Sequence, residues 1–133
     1  MAKILVVEDN ALNIKLFCDL RAAHGHVTEP VTDSRDALEA ARTFKPDLVI
    51  TDIQLPYITG IELMELLRAD DELKNVPIMA VTAYAAAGDD ERIRAAGASA
   101  YVSKPISVMR FAETVDQLLA EGSAVEGSSH SSQ

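Results

Sequence analysis

The stretch Leu48-Val49-Ile50-Thr51-Asp52-Ile53-Gln54-Leu55-Pro56-Tyr57-Ile58-Thr59-Gly60 decides the fold. Leu48 to Thr51 is a short apolar, β-branched run of the kind shown by a strand buried on both faces. It stops at a carboxylate, Asp52, ahead of a turn bearing Pro56 and Gly60, and a helical pattern from Ile61 to Arg68 follows. Strand, turn and helix in that order form the unit from which parallel sheets are wound, because a parallel neighbour is reached only through a crossover.

The same unit recurs on both sides. Lys3 to Val7 is a continuous apolar run and Val27 to Val31 roughly alternates. Ile78 to Thr82 and Ala100 to Ser103 bring the predicted strands to five. Helical patterns separate them: Leu12 to His24 closed by Gly25, Asp36 to Phe44 closed by Lys45-Pro46, Asp89 to Ala96 closed by Gly97, and Val108 to Leu119. The expectation is an α/β fold, a doubly wound five-stranded parallel sheet with five helices and right-handed crossovers. The first and third strands, the most uniformly apolar, belong at its centre.

Length and composition agree with one ordinary domain: 133 residues, 48% hydrophobic and 25% charged. We expect residues 1–121 to fold and the Gly- and Ser-rich segment Gly122 to Gln133 to be a disordered tail. That leaves no room for an effector domain, so any signal would leave through the domain's own surface. Lys and Arg total 12 against 21 Asp and Glu, a formal charge of −9, which opposes binding to nucleic acid or an anionic membrane. Cys18 stands alone and can form neither an internal disulfide nor a Cys-rich zinc site. No apolar run approaches the roughly 18 residues of a membrane span, and no leader-like segment precedes the first acidic residues, so a cytoplasmic location is expected. His24 and His26 flank Gly25 at a helix end, a capping position rather than a catalytic one.

Open parallel sheets bind ligands beyond the carboxyl ends of their strands. Those ends carry Glu8-Asp9-Asn10, Asp52, Thr82-Ala83-Tyr84 and Ser103-Lys104-Pro105. Taken singly, each has an ordinary explanation: Asp9 or Asn10 as a helix cap, Asp52 as the start of a turn, Lys104 as a solvated loop charge, Thr82 as a strand residue. Taken together, three carboxylates, a hydroxyl and an ammonium meet at one rim. Three like charges at close range require a cation, and an all-oxygen set that leaves room for water suits Mg²⁺ better than Ca²⁺. An anion drawn to Mg²⁺, Lys104 and Thr82 beside a carboxylate is most simply a phosphoryl group being transferred to Asp52.

The segments KILVVEDN, LVITDIQLPYITG, IMAVTAYA and YVSKPIS resemble, in order and at each expected strand end, the receiver domains of bacterial two-component response regulators. The resemblance runs from residue 3 to about residue 120. NIKLF, DDELKNVP and GDDERIR are similar to single-domain receivers of the DivK type, found in cell-cycle control. The resemblance implies a flavodoxin-like fold and a phosphorelay signalling protein rather than an enzyme in the usual sense, one that assists its own phosphorylation and dephosphorylation. It implies Asp52 as phosphoacceptor. It also implies Glu8, Asp9, Asp52 and the backbone carbonyl of Gln54 around Mg²⁺, with Asp9 ligating directly and Glu8 through water. Thr82 and Lys104 would hold the phosphoryl group, and Tyr101 would be the aromatic switch. The pair Glu8-Asp9 stands where Asp-Asp is the other common form. Implied partners are a histidine kinase or histidine phosphotransferase and a downstream protein.

Rival readings fit less well. An Asp-nucleophile phosphatase of the haloacid dehalogenase type places a second Asp two residues after the first, and here that residue is Gln54. An FMN-binding module needs a hydroxyl- and Gly-rich loop where Glu8-Asp9-Asn10 would repel phosphate. A phosphorylation-independent pseudo-receiver, which only binds a partner, would not need Asp9, Asp52, Thr82 and Lys104 together. Two further expectations concern neighbours of the rim. Tyr84 stands where it would hinder a hydrolytic water. Ile14 and Cys18 fall outside the apolar face formed by Leu12, Leu16, Phe17, Leu20 and Ala23, and form a short stripe for a partner helix.

Overall fold

A computed structural model of the chain describes residues 3–9, 14, 15, 19, 25–53, 55, 57–82, 89–103 and 113–120. Five strands, β1 (Lys3–Val7), β2 (Val27–Val31), β3 (Leu48–Asp52), β4 (Ile78–Thr82) and β5 (Ala100–Ser103), form one sheet in the order β2-β1-β3-β4-β5. Every neighbouring pair is parallel. The strands fall where the hydrophobic runs predict, and β3 is one residue longer, taking in Asp52. The three inner strands are buried along their apolar lengths, whereas edge strand β2 is buried only at Val31 and carries Pro30, whose missing N–H suits an edge.

Alternate residues of the inner strands feed two cores. On one face Leu5, Val7, Val49, Ile78 and Ala80 pack with Ala41, Leu63, Met64, Leu67 and Ile93. These last belong to α1 (Ala37–Phe44), α2 (Gly60–Ala69) and α3 (Asp89–Ala96). On the other, Ile4, Val6, Leu48, Ile50, Met79 and Val81 pack with Val115 and Leu118 of the helix over 113–120. Helices therefore cover both faces, which is what apolar strands without alternation demand.

Helical residues occur in all five predicted places: residues 14, 15 and 19 represent the first pattern and 113–120 the last, the rest of each lying outside the described residues. The second pattern, predicted from Asp36, starts one residue later. Ser34–Asp36 forms a 3₁₀ turn, because the Asp33 side chain accepts from the Arg35 N–H and tightens the entry, and α1 begins only at Ala37. At its end Lys45 takes the left-handed conformation at φ 54° and donates its N–H to the Ala41 carbonyl, so the helix stops before Pro46. A capping box starts α2: Thr59 accepts from the Glu62 N–H and Glu62 accepts from the Thr59 N–H.

Arg68, in the last turn of α2, staples the end of the sheet opposite the acidic rim. Its guanidinium donates to the carbonyls of Lys74, Val76 and Gly97 at 2.6–3.0 Å, joining the segments that enter β4 and β5. Desolvation lowers the pKa of this guanidinium from its usual value.

Candidate functional site

Parallel pairing brings all the strand ends to one rim. Val7 is level with Thr51, which sets Glu8 beside Asp52 across the two central strands. Asp52 is in turn level with Val81, and Thr82 with Ser103. The ladder continues one residue past each strand: the Glu8 N–H donates to the Val31 carbonyl at 3.1 Å and the Ile53 N–H to the Val81 carbonyl at 2.9 Å. Both acidic positions thus sit on backbone held by the sheet.

Glu8, Asp9 and Asp52 each offer a carboxylate oxygen, and the three oxygens lie within 4.8 Å of one another. Glu8 is 1% exposed and Asp52 6%, while Asp9 faces solvent. Three anionic oxygens, two of them buried, fit a hard divalent cation that retains water on its open side. The Thr82 hydroxyl closes the rim on the β4 side, its residue 2% exposed. Alternation along β4 places Thr82 on the same face as Ala80, and Ala80 is level with Tyr101. Thr82 and Tyr101 therefore share a sheet face. Tyr101 is half-buried against the larger core, with the Arg94 guanidinium 5.7 Å from its ring centroid.

The backbone of Asp52 is braced from behind. The Thr51 hydroxyl donates to the Asp52 carbonyl at 3.0 Å, and the Gly60 N–H donates to the Ile53 carbonyl at 2.9 Å. The start of α2 is thereby laid directly over the exit from β3.

Glu8, Asp9, Asp52, Thr82 and Tyr101 stand at or beside the rim as the sequence predicts. Gln54, Lys104, Cys18 and Tyr84 lie outside the described residues. Ile14 is helical and half-buried, so it keeps only part of its surface for a partner.

Sequence reasoning missed a group at the side of the rim. The Ile58 N–H donates to the buried Ser34 hydroxyl at 3.1 Å. The Arg35 guanidinium lies 3.7 Å from the Tyr57 ring centroid and is gripped by Asp33 through Nε and Nη2 at 3.1 and 2.8 Å. That grip, chiefly the side-chain hydrogen bond, holds the Asp33 carboxyl below its ordinary pKa. The only sequence signal was an aromatic residue between Pro56 and Gly60, which read simply as turn.

Residues 4–116 match the family model described as the response regulator receiver domain. The polar-differentiation response regulator DivK of Brucella anthropi is 50% identical over 118 residues, 89% of this chain and 96% of that one. Its counterpart in Brucella ovis is 49% identical over the same shares. Among solved structures, the Vibrio cholerae chemotaxis protein CheY4 superposes with a TM-score of 0.84 at 26% identity, covering 89% of this chain and 98% of that one. The receiver domain of a Pseudomonas aeruginosa sensor histidine kinase, solved with a magnesium ion coordinated in the active site cleft, gives 0.82 at 28% identity, covering 90% and 98%.

Proposed function

This chain belongs to the family of response regulator receiver domains, and from that membership we propose that Asp52 is its phosphoacceptor. The protein is a receiver of the DivK type, working in phosphorelay signalling, and the family works through histidine kinases and downstream partners. What carries the assignment to Asp52 is its place: it ends a central strand, nearly buried, within 4.8 Å of two further carboxylates.

In the proposed reaction a carboxylate oxygen of Asp52 attacks the phosphorus of a phosphohistidine on a kinase or phosphotransferase. The phosphorus–nitrogen bond breaks, the imidazole leaves with its electron pair, and an acyl phosphate forms. Glu8, Asp9, Asp52 and the Gln54 carbonyl would hold Mg²⁺, which neutralises charge on the transferring oxygens when bound. The rim's own residues do the rest. The ladder bonds at Glu8 and Ile53 hold the backbone that carries the Glu8 and Asp52 carboxylates before the donor arrives. The Thr82 hydroxyl donates to a phosphoryl oxygen, Lys104 pairs with another, and Tyr101 reports the change on the β5 side. The protein assists hydrolysis of its own acyl phosphate, and Tyr84 slows that step by hindering the attacking water. Residues 1–121 make up the receiver, 122–133 its tail, and the protein acts in the cytoplasm.

The test is intact-mass spectrometry after incubation with acetyl phosphate, with and without Mg²⁺. The wild type gains one phosphoryl group only with Mg²⁺, and Asp52→Asn gains none while keeping its fold by circular dichroism. A full shift in Asp52→Asn would overturn the acceptor assignment. A wild type that never takes up phosphoryl would instead support the pseudo-receiver.

A further inference from the structure

Tyr57 has φ +70°, left-handed backbone that a bulky side chain adopts only at a cost. It is also 68% exposed, so no core packing compensates. Something else holds it, and the contacts around it show what. Its ring is covered by the Arg35 guanidinium at 3.7 Å, and Arg35 is fixed in turn by the two-pronged bond to Asp33. The next residue is anchored independently, the Ile58 N–H to the buried Ser34 hydroxyl. The turn after β2 thus grips the loop after β3 at two adjacent points.

That loop leads straight to the acidic rim. Thr59 caps α2, Gly60 bonds the Ile53 carbonyl, and Gly60 lies against the backbone of Asp52. Releasing Tyr57 lets residue 57 relax toward ordinary φ, which draws on the segment seated over Asp52.

We propose that Asp33, Arg35 and Tyr57 form a positioning clamp that holds the loop after β3 in a strained conformation and so keeps Asp52 in register with Glu8 and Asp9 for a divalent cation. This rests on the reading of that cluster as the Mg²⁺ site. The clamp touches neither the metal nor the phosphoryl group. Its work is to make a costly backbone conformation the populated one.

Four substitutions at residue 57 separate strain from surface. Tyr57→Phe keeps a ring under Arg35, and Tyr57→Gly removes the cost of positive φ. Both retain Mg²⁺ affinity in a titration of the full-length, nitrogen-labelled chain with MgCl₂ followed by amide shifts. Tyr57→Ala and Tyr57→Leu keep the cost but lose the stack, and weaken Mg²⁺ about three- to tenfold. Arg35→Gln weakens it similarly in the wild type and not at all in the Tyr57→Gly background. A merely structural ring would make Gly the worst variant of the series.

Wild-type affinity in Tyr57→Ala, or a Gly variant as weak as Ala, overturns the clamp. If the wild type binds no Mg²⁺, the reading of the cluster fails separately, and hydrogen exchange at the Ile58 amide then decides the clamp alone. Protection lost in Tyr57→Ala and restored in Tyr57→Gly sustains it, and equal protection in both removes it.

Discussion

Gly60 leaves no room for a side chain against Asp52. A β-carbon at residue 60 would lie 2.6 Å from the Ile53 α-carbon and closer still to the Asp52 carbonyl oxygen. Both obstacles are backbone, which cannot swing aside as the end of a side chain can. Gly60→Ala should therefore push the start of α2 away from β3, costing about 1–3 kcal/mol by the usual scale of overpacking. It should also impair phosphorylation at an unaltered Asp52. Urea denaturation gives the first quantity and the acetyl phosphate time course the second. A variant of wild-type stability would mean that the helix start accommodates a methyl group.

The Arg42–Asp70 pair ties the last turn of α1 to the cap of α2, with Nε and Oδ2 2.5 Å apart and the Asp70 side chain 7% exposed. The Arg42 hydrogen bond, followed by the Glu72 N–H, depresses the Asp70 pKa below the ordinary carboxylate value. A carboxyl with a depressed folded pKa contributes stability above its unfolded pKa of about 3.9, and the contribution is lost as pH falls through the folded value. Asp70→Asn should therefore lower stability at neutral pH and lose less on acidification from about pH 5 downward. Denaturation midpoints across that range check this, and parallel acid slopes for the two proteins would remove the pair from the account.

Arg68 shows why some of the fold was illegible in the chain. Strands and helices declare themselves locally, by apolar runs, Pro and Gly, and each strand was placed to within a residue. The rim followed because topology alone brings the ends of β1, β3 and β4 together. Arg68 reads instead as the expected basic residue in a last helical turn, yet its bonds reach Gly97, 29 residues on. The Arg35–Tyr57 stack was hidden for the same reason: partners 22 positions apart in sequence carry no periodic signature, and positive φ at a tyrosine is set by the partner rather than by the residue.

Thr82 and Tyr101 share a face of the sheet on adjacent strands, two register positions apart. A hydroxyl drawn toward a phosphoryl group at the rim vacates space on the side of the ring, and a half-buried tyrosine with Arg94 5.7 Å from its ring centroid can follow it. Thr82→Ala should still be phosphorylated, while the shift changes around Tyr101 on phosphorylation shrink. Identical changes in the two proteins would show that the ring responds by another route.

Ile14 occupies the margin between the buried and solvated sides of the first helix. Lys15 and Asp19 pair across one helical turn at 3.2 Å with side chains 74% and 66% exposed, which marks the solvent side. At about 100° per residue, Ile14 lies one stripe from that pair, and its half-burial agrees with a marginal position. The helix follows β1, whose end supplies Glu8 and Asp9, so a helical bundle delivering phosphohistidine to Asp52 has this margin within reach. A partly exposed isoleucine supplies apolar contact there, and an aspartate in its place would bury a charge against the incoming helix. Ile14→Asp should slow transfer from a phosphohistidine protein about tenfold, the scale of one lost anchoring side chain. Labelling by acetyl phosphate should be unchanged, because a small donor needs no docking surface. Equal loss of both rates would mean that the substitution damaged the site, and equal retention would place docking on another face.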